Sequence, residues 1–422
     1  MLFGWELLTE EEENIIAKGI KEGKVYAGPF HLVLFPTDRC NIDCFFCYTS
    51  KLREIGDELE WNVLKGALDE GVRMGVKGVS FGGGGESFIH KSFKHILDFI
   101  ESHSLKVDSI KTNGTTMTLE TARRLIKLGL KRITISLNET TPETYAKISR
   151  CSPHLFEKVM SGIDNIVKAK REVGSDCEIS VQIFVWKDNY HRLKEMISGI
   201  LKTETDFIYL STIDQLPMEL KFNTEEKEEL KDLVRDIMKT YAEKLQCNFI
   251  SEGLQQFVME EQYKISPQSV CLPDSCKTPN RIEYCYIGWY SPVIAASGDV
   301  FSCCHFSNDK EKSFGNLHKE SLAEIWYGKR AQRYRAEMVH LLLTEANREL
   351  LPRRMRFISP LCLERSLCAF NYYLGSPDFY FEIHNWAESG PRKRYKTIQR
   401  MKANSYNVLR RGKRLLKSWL HF

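Results

Sequence analysis

The chain has 422 residues, of which 42% are hydrophobic and 27% are charged. This composition is ordinary for a folded protein with a sizeable core, and it excludes a disordered or fibrous chain. At about 150 residues per domain, the length predicts two or three domains. No apolar run approaches the ~18 residues of a transmembrane helix. The N-terminus has no basic segment ahead of its acidic residues 10–13, so it does not resemble a signal peptide, and we expect a cytoplasmic protein.

Charge is distributed unevenly along the chain. The net charge is +4, but residues 392–422 contain eleven Lys and Arg residues and no Asp or Glu. The first 391 residues therefore carry a net charge of −7. A mildly acidic body argues against a nucleic-acid-binding protein, so we expect no nucleic-acid partner.

A predicted helix at residues 10–22 is followed by strand-length apolar runs that alternate with segments of helical period. This alternation predicts βαβ units and a parallel sheet. Six such units fit an α/β fold of the partial (β/α)6 TIM-like barrel type, in which chemistry collects at the carboxyl ends of the strands. The predicted strands are residues 31–35, 78–81, 107–111, 132–137, 178–184 and 207–211, and the helices between them are residues 60–74, 92–101, 119–128, 156–169 and 191–201.

The pattern changes after residue 213. A charged helix at residues 224–245 is expected to act as a connector, and residues 292–304 read as a hairpin that turns at Ser297-Gly298-Asp299. Two further helices are predicted at residues 321–327 and 330–342. We therefore expect five segments, namely an N-terminal helical lead-in (1–28), a partial barrel (29–223), a helical connector (224–270), a cysteine-containing domain (271–375) and a basic tail (376–422).

Three cysteines follow the first predicted strand at the spacing C-x3-C-x2-C, namely Cys40, Cys44 and Cys47. Thiols in a reducing compartment favour metal or redox chemistry over disulfides. Three thiolates on one loop can ligate three irons of a [4Fe–4S] cluster and leave the fourth iron open to another molecule. A zinc knuckle is the alternative, although no fourth ligand follows Cys47 closely, and His31 lies on a strand where we expect it to pack.

The sequence C-x3-C-x-(aromatic)-C after the first strand of such a barrel resembles the radical S-adenosylmethionine (SAM) superfamily. The resemblance implies that SAM chelates the open iron and that an electron from the cluster cleaves it to a 5′-deoxyadenosyl radical, which abstracts a substrate hydrogen. It also implies a reductant such as flavodoxin or ferredoxin. Phe46 occupies the aromatic position, which in this family lies by the adenine.

A glycine run, Gly82-Gly83-Gly84-Gly85-Glu86, follows the second predicted strand. It is not a P-loop, because no Lys-Ser/Thr follows it. It resembles the family's GGE motif, which implies that Gly84, Gly85 and Glu86 hold the SAM ammonium. Glycine lets backbone approach a ligand closely, and a carboxylate suits a cation. The resemblance further implies SAM contacts by Asn113 after the third strand and by Ser136 and Asn138 at the end of the fourth. It also implies a contact by Arg150, for which the alternative is an ordinary surface residue. Gln182 on the fifth strand is a candidate for lining the cavity.

A second cysteine group begins at Cys285, which precedes Cys303 at the spacing C-x12-G-x4-C and is followed by a Gly-Asn-Leu … Ile-Trp string. This region resembles the SPASM/twitch extension of radical SAM enzymes. The resemblance implies one auxiliary [4Fe–4S] cluster held by Cys285, Cys303, Cys362 and Cys368. A full SPASM domain holds two clusters, but a complete second set is not visible in this sequence. Three cysteines have no assigned role, namely Cys271, Cys276 and Cys304. They either contribute ligands to a second cluster or are buried thiols. Cys304 is adjacent to Cys303, and the two can exchange roles.

The resemblance implies an enzyme, but its substrate is open. Many family members modify ribosomal peptides, and others oxidise or epimerise carbohydrates. Peptide maturases often carry an extra recognition domain, for which the first 28 residues are too few. We therefore expect oxidation or epimerisation of a carbohydrate-like or other small substrate. The alternatives are a maturase for a ribosomally made peptide and, in a different class, a non-catalytic iron–sulfur or zinc binding module.

The basic tail has apolar residues at roughly helical spacing among its cations. A basic amphipathic helix with Trp419 can lie on an anionic membrane surface, which predicts a peripheral contact at the inner face of the membrane. The same pattern suits docking onto a partner or onto the acidic body, and Gly412 and Asn404 disfavour a helix. A solvated or self-docked tail is the remaining interpretation. The apolar positions are Ile398, Met401, Val408, Leu409, Leu415, Leu416, Trp419 and Leu420.

Membrane binding by the tail is testable with anionic liposomes. We expect the full chain to co-sediment with them and a chain that ends at Gly390 to stay in solution, because each cation near the surface contributes up to ~1 kcal/mol. Salt should weaken this binding, since the screening length is ~8 Å at physiological ionic strength. Equal partitioning of the two proteins, or no binding by the full chain, would remove membrane contact from the interpretation.

Overall fold

The computed structural model describes residues 5–212, 218–249, 285–343 and 377–392, together with residues 252–254, 257, 258, 261, 357, 394 and 397. The strands are β1 (His31–Leu34), β2 (Gly78–Phe81), β3 (Lys106–Thr112), β4 (Arg132–Ser136), β5 (Glu178–Val185), β6 (Phe207–Thr212), β7 (Leu245–Asn248), β8 (Val293–Ile294), β9 (Asp299–Phe301) and β10 (Gly315–Asn316). The helices are α1 (Glu10–Glu22), α2 (Ser50–Ile55), α3 (Trp61–Met74), α4 (Phe93–Ser102), α5 (Leu119–Lys127), α6 (Pro142–Ser149), α7 (His154–Val173), α8 (Leu193–Ile200), α9 (Thr224–Tyr241), α10 (Leu322–Tyr327), α11 (Lys329–Leu343) and α12 (Pro377–Glu388).

All ten strands belong to one sheet in the order β10-β9-β8-β1-β2-β3-β4-β5-β6-β7. Strands β1 to β7 are parallel and follow chain order, while β8 pairs in parallel with the other edge of β1. Strands β8, β9 and β10 are antiparallel to one another. The sheet does not close into a barrel, so the predicted partial barrel is confirmed. The carboxyl ends of the parallel strands β1 to β8 lie at the same edge of the sheet.

Local sequence explains where several helices begin and end. Helix α1 starts with a capping box in which the Thr9 side chain accepts from the N–H of Glu12 and the Glu12 carboxylate accepts from the N–H of Thr9. Gly23 ends this helix in the left-handed conformation, and Gly174 ends α7 in the same way. These signals lie within a few residues of each helix end, which is why the sequence predicts α1 with the observed bounds.

Strand β7 was not expected from the sequence. The predicted connector helix at 224–245 is shorter in the structure, because α9 ends at Tyr241 and Leu245 starts the strand. A single 3-10 turn at Ala242–Lys244 follows α9, and Leu245 then pairs with Ile208 at the edge of β6. Tertiary pairing of this kind overrides local helix preference.

The two faces of the sheet differ in polarity. Leu32 faces the helices, since a Cβ placed on Gly71 of α3 would lie 3.3 Å from its Cδ1. Residues next to such outward positions face the concave side, where hydroxyl groups bond between strands. Ser109 donates to Ser80 over 2.9 Å, and the hydroxyl groups of Thr134 and Ser180 lie 3.0 Å apart. The concave face is therefore a polar surface suited to a polar ligand.

The first helix of the predicted tail region packs on the body. On α12, Glu382 pairs with Lys21 of α1, and the ring centroid of Phe379 lies 4.9 Å from that of Trp5. Arg392 is buried and donates to the carbonyl of Leu342 over 3.2 Å. Most of the basic tail that follows, including every apolar position named above, lies outside the described residues. None of the helices in the described part of the chain combines the length and hydropathy that crossing a bilayer requires.

His31 joins the barrel sheet to the C-terminal strands. Its ring is fully buried, with Nδ1 2.9 Å from the hydroxyl of Ser291 and Nε2 2.9 Å from that of Ser80. The ring stacks on Tyr290 with centroids 5.8 Å apart. Burial lowers the pKa of His31 to about 3, because the imidazolium form is poorly solvated there.

This buried imidazole makes the free energy of unfolding depend on pH. The unfolded chain binds a proton at His31 near its usual pKa of 6.5, and the folded chain does so only near 3, so the contribution is complete above about 6.5 and is lost as pH falls toward 3. Between about pH 7.5 and about pH 5, we expect the wild type to lose about 2 kcal/mol more than His31→Gln. Urea unfolding at both pH values measures this difference, and the values at the higher pH report the packing cost of the substitution. Parallel pH profiles for the two proteins would contradict the expectation.

Candidate active site at the carboxyl edge of the sheet

The cysteine loop, residues 36–49, follows β1 and is attached to the end of α6. The N–H of Asp43 donates to the carbonyl of Ser149 over 2.9 Å, and the N–H of Phe45 donates to the carbonyl of Ile148 over 3.2 Å. Cys40, Cys44 and Cys47, all partly buried, lie on this loop as predicted.

Two of these three thiols, those of Cys40 and Cys44, are poorly hydrated. Burial raises the pKa of Cys40, and burial together with the neighbouring Cys40 and Cys47 raises that of Cys44 to about 12. Thiols with raised pKa values that share one loop are a donor set that a cationic metal centre can bind as thiolates. The residues therefore fit an iron–sulfur cluster.

The glycine loop, residues 82–85, packs directly on the cysteine loop. The N–H of Gly85 donates to the carbonyl of Thr37 over 2.8 Å, and the hydroxyl of Thr49 donates to the carbonyl of Gly84 over 2.6 Å. A Cβ on Gly85 would lie 1.8 Å from the carbonyl oxygen of Arg39. We expected these glycines to let backbone approach a ligand; the space left by the missing Cβ atom of Gly85 is filled by the cysteine loop.

Glu86 and Asn113 connect the first three strands at this edge. The buried Glu86 carboxylate accepts from the hydroxyl of Thr112 (2.9 Å), the N–H of Asn113 (2.7 Å) and the N–H of Phe88 (3.3 Å). The Asn113 amide donates to the side chain of Asn41 over 2.8 Å. Burial raises the pKa of Glu86 despite its three donors, so a nearby cation would stabilise the carboxylate.

The amide Nδ2 of Asn113 also lies 3.7 Å from the sulfur of Cys40. The structure therefore brings together predicted residues from three separate loops.

Three other predicted residues lie around the ends of β4 and α6. Asn138 has a positive φ of 64°, and its side-chain oxygen accepts from the N–H of Phe184 over 3.3 Å. Ser136 is aligned with Gln182 on the neighbouring strand. Arg150 is exposed, and its guanidinium lies 3.6 Å from the carboxylate of Asp43 in the cysteine loop.

An aromatic cluster borders the cysteine loop. The ring of Phe46 meets the edge of Phe184 with centroids 4.7 Å apart, and Phe45 stacks on Trp186 at 4.2 Å. The sequence predicts a role for Phe46 but not for its three companions. The aromatic residues at the end of the fifth predicted strand were the available signal, since that end meets the same edge of the sheet.

The second cysteine group follows the β8–β9 hairpin, whose predicted turn is confirmed by Gly298 with a φ of 79°. Cys303 and Cys304 follow β9, and a hydrogen bond between them together with burial raises the pKa of Cys303 well above its usual value. The side chain of Asn308 donates to the carbonyl of Tyr48 over 2.9 Å, which attaches this region to the cysteine loop.

Four other cysteines, namely Cys271, Cys276, Cys362 and Cys368, lie outside the described residues. Within the residues that are described, no three His, Cys, Asp or Glu side chains converge on one metal-ion position. A cubane cluster does not require such convergence, because each cysteine binds a different iron.

The space between the two cysteine groups holds titratable residues that sequence reasoning missed. Burial, together with the thiols of Cys304 and Cys47, raises the pKa of the Tyr48 hydroxyl. Burial and the nearby Asp57 raise the pKa of Asp38 to about 7. Lys111 also lies near both groups and precedes the Thr-Asn-Gly that ends β3. Asp38 and Tyr48 lie in the cysteine loop itself, whereas Lys111 belongs to no motif and is marked only by tertiary proximity.

Two family models match the chain. Residues 34–199 match the Radical SAM superfamily, and residues 285–349 match SPASM, an iron–sulfur cluster-binding domain. The probable GTP 3′,8-cyclase of Methanosarcina acetivorans is 34% identical over 159 residues, which are 35% of this chain and 46% of the cyclase. The match thus spans about half the length of that relative. The tungsten-containing aldehyde ferredoxin oxidoreductase cofactor-modifying protein of Pyrococcus furiosus is 26% identical over 316 residues, which are 71% of this chain and 81% of that protein.

Solved structures have the same fold. SuiB of Streptococcus suis, bound to its precursor peptide SuiA, aligns with a TM-score of 0.53 and 17% identity over 75% of this chain and 68% of its own. Native anSMEcpe with bound AdoMet aligns with a TM-score of 0.54 and 14% identity over 88% of this chain and 100% of its own. At these identities the likeness concerns the fold alone.

Contact between the glycine and cysteine loops is testable with a matched pair of substitutions. Gly85→Ala forces a Cβ into the Arg39 carbonyl, so we expect a loss of about 1–3 kcal/mol in the free energy of unfolding and a lower iron content after purification. Gly82→Ala is the control, since its Cβ would meet Lys111 and Phe35 only at 3.8 and 3.9 Å. We expect that change to stay within about 1 kcal/mol of the wild type. Equal stability of the two variants in urea would show that the loops do not pack as described.

Proposed function

Because the chain belongs to the radical SAM superfamily and carries a SPASM cluster-binding domain, we propose that it abstracts hydrogen from a carbohydrate-like or other small substrate and so oxidises or epimerises it. The enzyme uses [4Fe–4S] clusters and SAM as cofactors. The observation that carries the site assignment is the meeting of the cysteine loop, the glycine loop and the Glu86–Asn113 pair at one edge of the sheet. No single one of these loops would define a SAM site on its own.

In this proposal Cys40, Cys44 and Cys47 hold the first cluster. That cluster, when bound, supplies the electron for reductive cleavage of SAM, and a reductant such as flavodoxin or ferredoxin replenishes it. The chain fixes the cysteine loop from two sides, through the carbonyls of Ile148 and Ser149 and through the glycine loop. This double attachment holds the three sulfurs in place before any ligand arrives, which reduces the cost of ordering the site.

The SAM contacts are assigned to residues around that loop. Glu86 binds the SAM ammonium in this proposal. Its buried carboxylate accepts three hydrogen bonds, but all three donors are neutral, so the ammonium would supply the compensating positive charge. Phe46 packs by the adenine, with its ring fixed against Phe184. Arg150 would leave its ion pair with Asp43 and bind the SAM carboxylate instead. The other proposed contacts are Gly84, Gly85, Asn113, Ser136 and Asn138.

One auxiliary [4Fe–4S] cluster is proposed for the C-terminal cysteines. Its ligands are Cys285, Cys303, Cys362 and Cys368, within a domain that we delimit at residues 271–375. The segment that follows β9 and contains Cys303 adjoins the cysteine loop through the hydrogen bond from Asn308 to Tyr48. With all four irons held by cysteine, that cluster, when bound, would supply an acceptor for an electron from the substrate.

The names of the relatives support a small substrate. The Pyrococcus furiosus relative is described as modifying a cofactor, and the Methanosarcina acetivorans relative as a cyclase of GTP. The polar concave face, with its rows of hydroxyl groups, suits a hydroxylated small molecule. The second candidate function is modification of a ribosomally made peptide, which the fold likeness to peptide-bound SuiB supports.

Simultaneous replacement of Cys40, Cys44 and Cys47 by Ala tests the assignment. We expect this variant to form no 5′-deoxyadenosine from SAM under anaerobic reduction, because it lacks the ligands of the first cluster. It should still bind about four of the about eight irons of the wild type, because the auxiliary ligands are intact. Iron analysis and product quantification by mass spectrometry measure both properties.

Cys247→Ala is the control, since Cys247 lies on β7 at the far end of the sheet. We expect it to keep wild-type iron content and SAM cleavage. Wild-type cleavage by the triple variant would refute the first cluster's ligands. An iron-free triple variant that remains folded would refute the auxiliary cluster.

A further inference from the structure

Lys111 lies on the concave face of the sheet, on β3. It is aligned with Thr134 on β4, which is in turn aligned with Ser180 on β5. Aligned residues of neighbouring strands point to the same side. Thr134 and Ser180 meet there through their hydroxyl groups, so Lys111 belongs to the same row.

The ammonium of Lys111 reaches toward the aromatic cluster. Its Nζ lies 5.9 Å from the ring centroid of Phe184, which is on β5, two strands away. A contact that skips β4 is made across the concave surface. Phe184 also contacts Phe46, so Lys111 lies close to the residue that we assign to the adenine.

The surroundings leave this ammonium without a matching charge. Desolvation by the surrounding atoms lowers the pKa of Lys111, and the thiols of Cys304 and Cys47 act in the opposite direction. Within the described part of the chain, the side chain of Lys111 is exposed.

The acids in this region have other contacts. Glu86 binds its three donors, and Asp38 interacts with Asp57 and Lys310. Among the described residues, none forms an ion pair with Lys111. The cation–π contact with Phe184, at the outer limit of useful distance, contributes little.

An ammonium that is exposed on this polar concave face can bind an anionic group of a ligand through a charge-assisted hydrogen bond. We propose that Lys111 binds a carboxylate or phosphate group of the substrate and so holds it between the two cysteine groups. This inference rests on the proposed function and adds to it that the small substrate is anionic. The carboxylate of SAM is the other source of the same chemistry, and the experiment separates the two.

Binding of inorganic pyrophosphate and of succinate to the SAM-loaded holoenzyme tests the proposal. At least one of these probes should bind to the wild type, and Lys111→Gln should weaken that binding about tenfold or more, since it removes a charge-assisted hydrogen bond. Lys111→Arg should restore most of it, because the charge is kept. Lys106→Gln, on the same strand, is the matched control and should bind as the wild type does. Isothermal titration of each probe gives the dissociation constants.

Titration with SAM distinguishes the two sources of the anion. We expect Lys111→Gln to bind SAM with a dissociation constant close to that of the wild type. A large loss of SAM binding with pyrophosphate and succinate unaffected would assign Lys111 to the SAM carboxylate and overturn the proposal. Equal binding of the probes by wild type and Lys111→Gln, or no binding by the wild type, would also overturn it. Failure of the proposed function has a different signature, namely absence of 5′-deoxyadenosine from the wild-type holoenzyme.

Discussion

The pairing of β1 on both of its edges is the constraint on which the candidate site depends. On one edge His31 to Leu34 align with Gly78 to Phe81 of β2, and on the other Val33 and Leu34 align with Val293 and Ile294 of β8. All three strands are parallel, so their carboxyl ends meet. The cysteine loop after β1 therefore lies between the glycine loop and the C-terminal hairpin. Strands β1 and β8 are about 260 residues apart in sequence, and a few backbone hydrogen bonds hold them side by side. One of these bonds runs from the N–H of Val33 to the carbonyl of Pro292 over 3.0 Å.

Packing of the glycine loop on the cysteine loop determines the surroundings of the candidate ligand residues. The two backbones touch so closely at Gly85 that a single methyl group would not fit. Such close packing makes the two loops one rigid unit. A precise ligand site requires that the residues contacting the ligand be held rigidly. The same closeness excludes water, which is why the thiols of Cys40 and Cys44 and the carboxylate of Glu86 all have raised pKa values. A bound cation would stabilise the charged form of each of these groups, so the two loops are electrostatically matched to a metal cluster and to a positively charged ligand.

The concave face supplies what the loops do not. Its hydroxyl rows, the ring of Phe184 and the ammonium of Lys111 are contributed by β2 to β5, and they face the space that the cysteine loop and the hairpin border. A substrate held there contacts side chains that differ from the residues assigned to SAM. Recognition of the substrate and binding of the cofactor are thus divided between side chains within the strands and the loops that follow them.

The sequence by itself determined the parts of this protein that depend on neighbouring residues. The spacing of Cys40, Cys44 and Cys47, the glycine run before Glu86 and the turn at Gly298 are local patterns, and each lies where the pattern predicts. Helix α1 has its predicted bounds because its caps are local as well. The tertiary structure alone decided which edges pair. Strand β7 exists because β6 offers an open edge, and Arg150 reaches Asp43 because α6 ends against the cysteine loop. Lys111 faces Phe184 because only β4 separates their strands on a curved sheet. These relations join residues far apart in sequence, and no local propensity encodes them.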